Sequence, residues 1–227
     1  MGGSAWWTYR PEDLLMFSPR VYARLFELHN QALWPAQLLA LALGAAALAV
    51  LLRPGPRGTR LVVVLLAVAW AFVGWAFLWQ RYAPIHWGIA YVAPLFGLQA
   101  LLLAGLAVRR GGLHLARHGR VRRGLGIGLF AYALVLHPLV ALATGRGLAG
   151  AEELGLTPDP LAIATLGVMA MAEPARRAWT LLVLPALWCL QSGLTLYLLG
   201  EQGAWLPPLA VAAALTARCW PAPDALR

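Results

Sequence analysis

The sequence predicts an all-α fold. It reads as an integral membrane bundle of seven transmembrane helices, with six as the alternative count, preceded by an N-terminal amphipathic surface helix. Three observations predict it. The composition is 61% hydrophobic and only 12% charged, at a mean hydropathy of +0.68. A soluble domain carries about 25% charge, roughly twice as much. Apolar runs near the ~20 residues needed to cross ~30 Å of hydrocarbon recur along the chain. Arginines collect between alternate runs, as they do in cytoplasmic loops. The 227 residues divide accordingly: 1–30 as an outer-side tail, 31–220 as the bundle and 221–227 as a cytoplasmic tail.

Taken in order, the tail comes first. Ser18 followed by Pro19 is a helix start, a side-chain cap and then a residue suited to the first turn. Tyr22, Leu25, Phe26 and His29 recur at helical spacing, with Arg20, Arg24 and Glu27 opposite. That pattern predicts a short helix lying on the outer membrane surface. Trp6, Trp7 and Tyr9 supply interfacial aromatics ahead of it. Asn30 and the Trp34-Pro35 step turn the chain into the bilayer. No basic stretch followed by an apolar one opens the chain, so no secretory signal is expected. Trp6 stands where myristoylation needs Ser or Thr.

The clear spans are Leu33–Leu52, Leu61–Trp79, Ile89–Val108, Gly124–Ala143 and Trp179–Leu199. Pro160–Pro174 and Ala204–Trp220 are shorter, and are re-entrant if they do not cross. The arginines support crossing. Arg53, Arg57 and Arg60 follow the first span, and Arg109, Arg110, Arg117, Arg120, Arg122 and Arg123 the third. Arg176 and Arg177 follow the fifth, Arg218 and Arg227 the seventh. Seven crossings put these 13 on one side and leave Arg10, Arg20, Arg24, Arg81 and Arg146 on the other. The N-terminus is then outside and the C-terminus cytoplasmic. Glu12, Asp13, Glu27, Glu152, Glu153, Asp159 and Glu201 fall outside, Glu173 and Asp224 inside. The Arg109–Arg123 loop reads as a retention signal touching anionic lipid rather than a nucleic-acid site, since no separate domain carries it. His114 and His118 within it read as a solvated loop face.

Composition also excludes chemistries. All 18 basic residues are arginine. Without lysine there is no retinal or pyridoxal Schiff base and no Walker-type phosphate loop. Cys189 and Cys219 lie in no CxxC pattern, and neither a disulfide nor a thiolate cluster is expected. No nucleophile and base stand at a recognisable spacing, so the reading leans away from an enzyme. No cofactor and no metal site are expected.

The polar groups within the spans crowd toward the outer side. Gln37, His137, Thr165, Gln191 and Thr195 lie there, and Gln99 sits near mid-membrane. The inner halves hold little beyond Thr180 and Thr216. His29, Asn30, Arg81, His86 and Asp159 flank the outer level. Asn30, Gln37, Arg81, His86, Gln99, His137, Asp159, Thr165 and Gln191 are therefore the candidate pocket, opening outward over an apolar plug. That arrangement argues against a channel, which needs a polar path throughout. The same residues also read as interhelical hydrogen bonds. Asp159, in Pro158-Asp159-Pro160, reads as a helix cap or as a mouth carboxylate paired with Arg81 or His86. His29, His86 and His137 raise a haem or metal reading that no spacing forces.

A family resemblance rests on Phe26 and Asn30, on Trp34-Pro35-Ala36-Gln37, and on Phe96-Gly97-Leu98-Gln99-Ala100. It continues from Gly155 through Pro158-Asp159-Pro160 to Thr165-Leu166-Gly167, and to Pro185 with Leu187-Trp188. On these the chain resembles the bacterial multi-pass membrane proteins filed as domain of unknown function 6064, sometimes labelled permeases, over about residues 14–200. Leu161 departs from the family's usual Thr, and Ile85-His86-Trp87 from its frequent Ile-Asn-Pro. The resemblance implies a membrane fold in the bacterial inner membrane and supplies no reaction. The expected function is handling of a small molecule through the outward pocket, as a permease-like protein or sensor. The alternatives are a membrane-embedded redox, haem or metal enzyme, and an accessory subunit of a larger membrane complex. Expected partners are the lipid bilayer, a small-molecule ligand and, in the accessory reading, another membrane protein, with no nucleic acid.

Overall fold

Ser18 caps the first helix, α1 (Pro19–Leu33), its side-chain oxygen accepting the Val21 N–H at 3.4 Å. The computed structural model describes residues 17–109, 111–115 and 119–220. Trp6, Trp7, Tyr9, Arg10, Glu12, Asp13, Arg110, Arg117, His118, Asp224 and Arg227 lie outside the described residues.

α1 buries Tyr22, Leu25, Phe26, His29 and Asn30. Arg20 and Arg24 are exposed, and Arg24 pairs with Glu27 at 2.6 Å. The expected helical face is therefore present, but it rests on protein rather than on lipid headgroups. Phe26 packs on Phe77, Tyr22 on Tyr82, and the Asn30 amide donates to the carbonyls of Ala149 and Ala151. An apolar stripe specifies something apolar beneath it, and cannot say which.

α2 (Ala36–Leu52) leaves α1 at 91°. α3 (Pro56–Tyr82) is the longest helix, with π-type turns from Val73 onward. α4 (Ile89–Val108), α5 (Arg120–Ala143), α6 (Pro158–Met171), α7 (Ala175–Leu198) and α8 (Leu206–Cys219) follow. Two two-residue strands, β1 (His114–Leu115) and β2 (Ala172–Glu173), pair antiparallel with His114 opposite Glu173. Among the described residues, α3, α4, α5 and α7 are long and apolar enough to cross a membrane, and the bent pair α1–α2 makes up to five. Length alone thus gives four to five spans where the sequence predicts seven. The difference lies in α6 and α8, each 14 residues or about 21 Å. Every residue of α6 is buried, so protein surrounds it on all sides. A helix that meets no lipid need not match the thickness of lipid.

The helix termini gather at two ends. At the first, Arg123 donates to the Leu52 carbonyl closing α2, and Arg177 to Gly111 and Gly112 beyond α4. Arg122 pairs with Glu173 at 2.8 Å, and Arg218, near the end of α8, donates to the Ala172 carbonyl at 2.6 Å. At the second end, α1 meets the α5–α6 loop, and the start of α6 meets the far half of α7. Consecutive helices from α2 to α8 therefore alternate in direction, and α6 and α8 reach from one end to the other. Mid-bundle bonds tie them together. Trp70 donates to Thr165 at 2.9 Å, and Gln99 to the Leu181 carbonyl at 2.9 Å.

Candidate functional site

The second end is built by a loop that folds back into the bundle. In α5, the π-type turns of Tyr132–Leu136 come immediately before His137. Such widened turns often mark functional positions. Gly145 and Gly147 then take φ of +77° and +69°, a region open to glycine that reverses the chain. In the loop that follows, Ala151, Leu154 and Leu156 are buried, so this stretch packs inward and carries Glu152 with it, beside Arg146. Asp159 lies in the first turn of α6.

Three ionisable side chains converge there. His137 Nε2 and Glu152 Oε2 are 3.7 Å apart. One ligand-capable atom each from His137, Glu152 and Asp159 lies within 4.8 Å of the others. All three residues are buried, at 5%, 5% and 2% exposure. Asp159 does not cap α6, and its partners are not Arg81 or His86. Its Oδ1 accepts from Trp188 Nε1 at 2.7 Å and its Oδ2 from Ser192 Oγ at 2.6 Å, both on α7. Thr157 holds the cap position without a side-chain capping bond, its Oγ1 donating instead to the Glu153 carbonyl at 3.1 Å. His137 Nδ1 meets the Tyr132 hydroxyl at 3.4 Å, and Arg146 reaches Glu152 Oε1 at 3.5 Å. A cavity of about 20 Å³ lies between these groups and is rimmed by half-buried Glu201. That is room for one water or one ion.

Charge and burial pull in opposite directions here. Burial pushes the Glu152 carboxyl up, but the nearby charges of His137 and then Arg146 outweigh it and hold the group below its ordinary value. At the same end, burial brings His29 on α1 down to about 4, against the pull of the Leu156 carbonyl and helped by the charge of Arg81. The His29 Nε2–H donates to that carbonyl at 3.0 Å.

Of the nine sequence-predicted residues, the cluster brings together only His137 and Asp159. Gln37 donates to the Asn30 carbonyl at 2.8 Å, so both serve the α1–α2 bend, beside a groove of about 780 Å³ with Trp34, Leu38 and Leu139. Gln99 and Thr165 form the mid-bundle bonds. Gln191 bonds Thr195 at 2.9 Å within α7. His86 packs with Phe17 and Tyr82, and half-buried Arg81 lies at the end of α3. His29, His86 and His137 thus have separate surroundings. Glu152, Arg146, Tyr132, Trp188 and Ser192 were missed. The apolar character of the loop around Glu152 was the signal that it turns inward.

Fold and site together define an all-helical protein with four to five helices fit to cross a membrane and a buried ionisable cluster at the end away from most arginines. The chain belongs to the Family of unknown function (DUF6064), whose family model matches residues 20–220. No curated protein and no solved structure matches it.

Proposed function

We propose that this is a seven-span protein of the bacterial inner membrane, N-terminus outside, handling a small solute at the His137–Glu152–Asp159 cluster in permease-like fashion. The observation that carries the reading is the cluster itself. Asn30, Gln37, Gln99 and Thr165 spend hydrogen bonds holding elements together, which neutral polar groups do well. Buried charge is far more expensive in a membrane and usually marks a site of action. The cluster lies at the end with few arginines, which the positive-inside rule assigns to the outside. The 20 Å³ cavity limits the solute in this closed state to ionic size. Beneath it, α6 continues as Leu166, Gly167, Val168, Met169, Ala170 and Met171, all buried, an apolar plug that supports gated passage over an open channel.

Single cysteines at Thr144 and Gly203, both bordering the cavity, test the reading in a background lacking Cys189 and Cys219. A small membrane-impermeant thiol reagent added outside is expected to label both, because a thiol ionises and reacts only where water reaches. Cysteines at Val63 and Leu103, buried in the bundle, should stay unlabelled. Labelling of Thr144 and Gly203 positions only from the cytoplasmic side would overturn the reading.

A further inference from the structure

We propose that His137, Glu152 and Asp159 bind one divalent transition-metal ion of the zinc class, through the imidazole Nε2 and one oxygen of each carboxylate. The inference rests on the reading of this cluster as the solute site, and names the class of solute.

Geometry carries it first. The 3.7 Å between His137 Nε2 and Glu152 Oε2 is too long for a hydrogen bond. A tetrahedral ion with bonds of about 2.1 Å has edges of about 3.4 Å, close to that separation. The third donor lies within 4.8 Å, so closure asks for an inward shift of about 1 Å. Second, Glu152 is 5% exposed, and its Oε2 has no hydrogen-bond donor. A carboxylate oxygen directed at a 20 Å³ cavity and lacking a donor calls for a cation.

The surrounding bonds hold the ligands as a metal site requires. Trp188 and Ser192 each donate to one Asp159 oxygen and leave a lone pair on each. The Tyr132 hydroxyl contacts His137 Nδ1, which leaves Nε2 as the metal-binding nitrogen. Ligands oriented from behind in this way are typical of protein metal centres. Donor chemistry sets the class. One imidazole with two carboxylates suits zinc, manganese or ferrous iron. An all-oxygen shell would suit calcium or magnesium, and thiolates cuprous copper. Three protein donors leave a fourth position for water or for Glu201 on the rim.

Arg146 is the competing cation. Its guanidinium stands 3.5 Å from Glu152 Oε1, but it also bonds Thr144 Oγ1 at 3.3 Å and lies 5.9 Å from the Phe26 ring centroid. It balances part of the carboxylate charge and weakens the pull on a metal.

The test is titration of purified full-length protein, stripped with chelator in detergent, with zinc chloride against a chromophoric competitor. One zinc per chain is expected, with magnesium failing to compete at 100-fold excess. His137→Gln, Glu152→Gln and Asp159→Asn should each weaken binding at least tenfold. Arg146→Gln should tighten it several-fold, the opposite of what a purely structural ion-pair network predicts. Zinc should also raise the melting temperature of the parent protein, and Glu152→Gln should abolish that rise, a readout that needs no transport. Sub-stoichiometric zinc, equal binding of magnesium, or unchanged affinity in His137→Gln and Glu152→Gln overturns the proposal. Cysteine labelling from outside together with absent zinc binding rejects the metal while keeping the solute site. Stoichiometric zinc without outside labelling keeps the metal and rejects the permease-like reading.

Discussion

Asp159 stands between two prolines at the head of α6, yet its carboxylate turns away from that helix toward α7. Two buried donors, Trp188 Nε1 and Ser192 Oγ, depend on it. Asparagine can serve both, its oxygen accepting from Trp188 and its amide donating to a rotated Ser192 hydroxyl. Alanine leaves both without a partner, and a buried unsatisfied polar group costs about 1–3 kcal/mol. Asp159→Ala should therefore lower the thermal midpoint in detergent clearly, followed by tryptophan fluorescence, while Asp159→Asn keeps most of the stability and loses the charge. Both variants melting with the parent would mean that the Trp188 and Ser192 bonds contribute nothing to the fold, and both melting equally early would mean that the carboxylate charge is what those donors need. His137 was legible as a site residue because a histidine before Pro138 interrupts an apolar run. The orientation of Asp159 was not, since Asp before Pro satisfies the local rule for a cap and Trp188 is 29 residues further on. Glu152 was hidden for a related reason: an acid in a loop between spans reads as solvated unless the apolar residues around it are taken into account.

At the scale of elements, α5 and α6 touch through glycine. A Cβ placed on Gly167 would lie 2.5 Å from the Gly126 carbonyl oxygen, and one on Gly126 would lie 2.7 Å from that of Gly167. Backbone blocks both positions, so the helices would have to separate. Small residues at a crossing are how membrane helices gain contact where lipid offers no hydrophobic drive. Gly126→Ala and Gly167→Ala should each destabilise by about 1–3 kcal/mol through overpacking. Gly128 is a control on the same helix, exposed and with nothing within 4 Å of its Cβ position. Gly128→Ala should be neutral or stabilising by up to about 1 kcal/mol. Melting temperatures of the three variants in one detergent decide it, and equal losses would mean the contact is not close. The long apolar helices and the capped start of α1 were legible, because periodicity and caps are local. That α1 seats on Phe77 and Tyr82, and that α6 is enclosed, depend on distant packing that no sequence window contains.

At the scale of the whole molecule, the alternation of arginines and the alternation of helix direction agree. The described arginines at the α2–α3, α4–α5 and α6–α7 connections and at the end of α8 come to one end, where Arg122, Arg123, Arg177 and Arg218 bond Glu173 and loop or terminal carbonyls from other segments. Moving such an end across the bilayer would carry many guanidinium groups through hydrocarbon, at roughly 2.5–3.5 kcal/mol each near the centre. Orientation should therefore be firm, with this end in the cytoplasm. A reporter fused after Arg227 should be active only as a cytoplasmic reporter, and a tag ahead of Trp6 should be reached from outside. Insertions test the two short helices separately. One at Gly111, in the turn after α4, should face the cytoplasm. One at Gly200, whose φ of +73° places it in the exposed turn after α7, should face outside. If both termini were found on one side, α6 or α8 would not cross. A Gly200 insertion facing the cytoplasm would then assign the failure to α6, and one facing outside would assign it to α8. Complete inversion would leave the helix packing unchanged but place the His137–Glu152–Asp159 cluster on the cytoplasmic side, and solute would have to reach it from there.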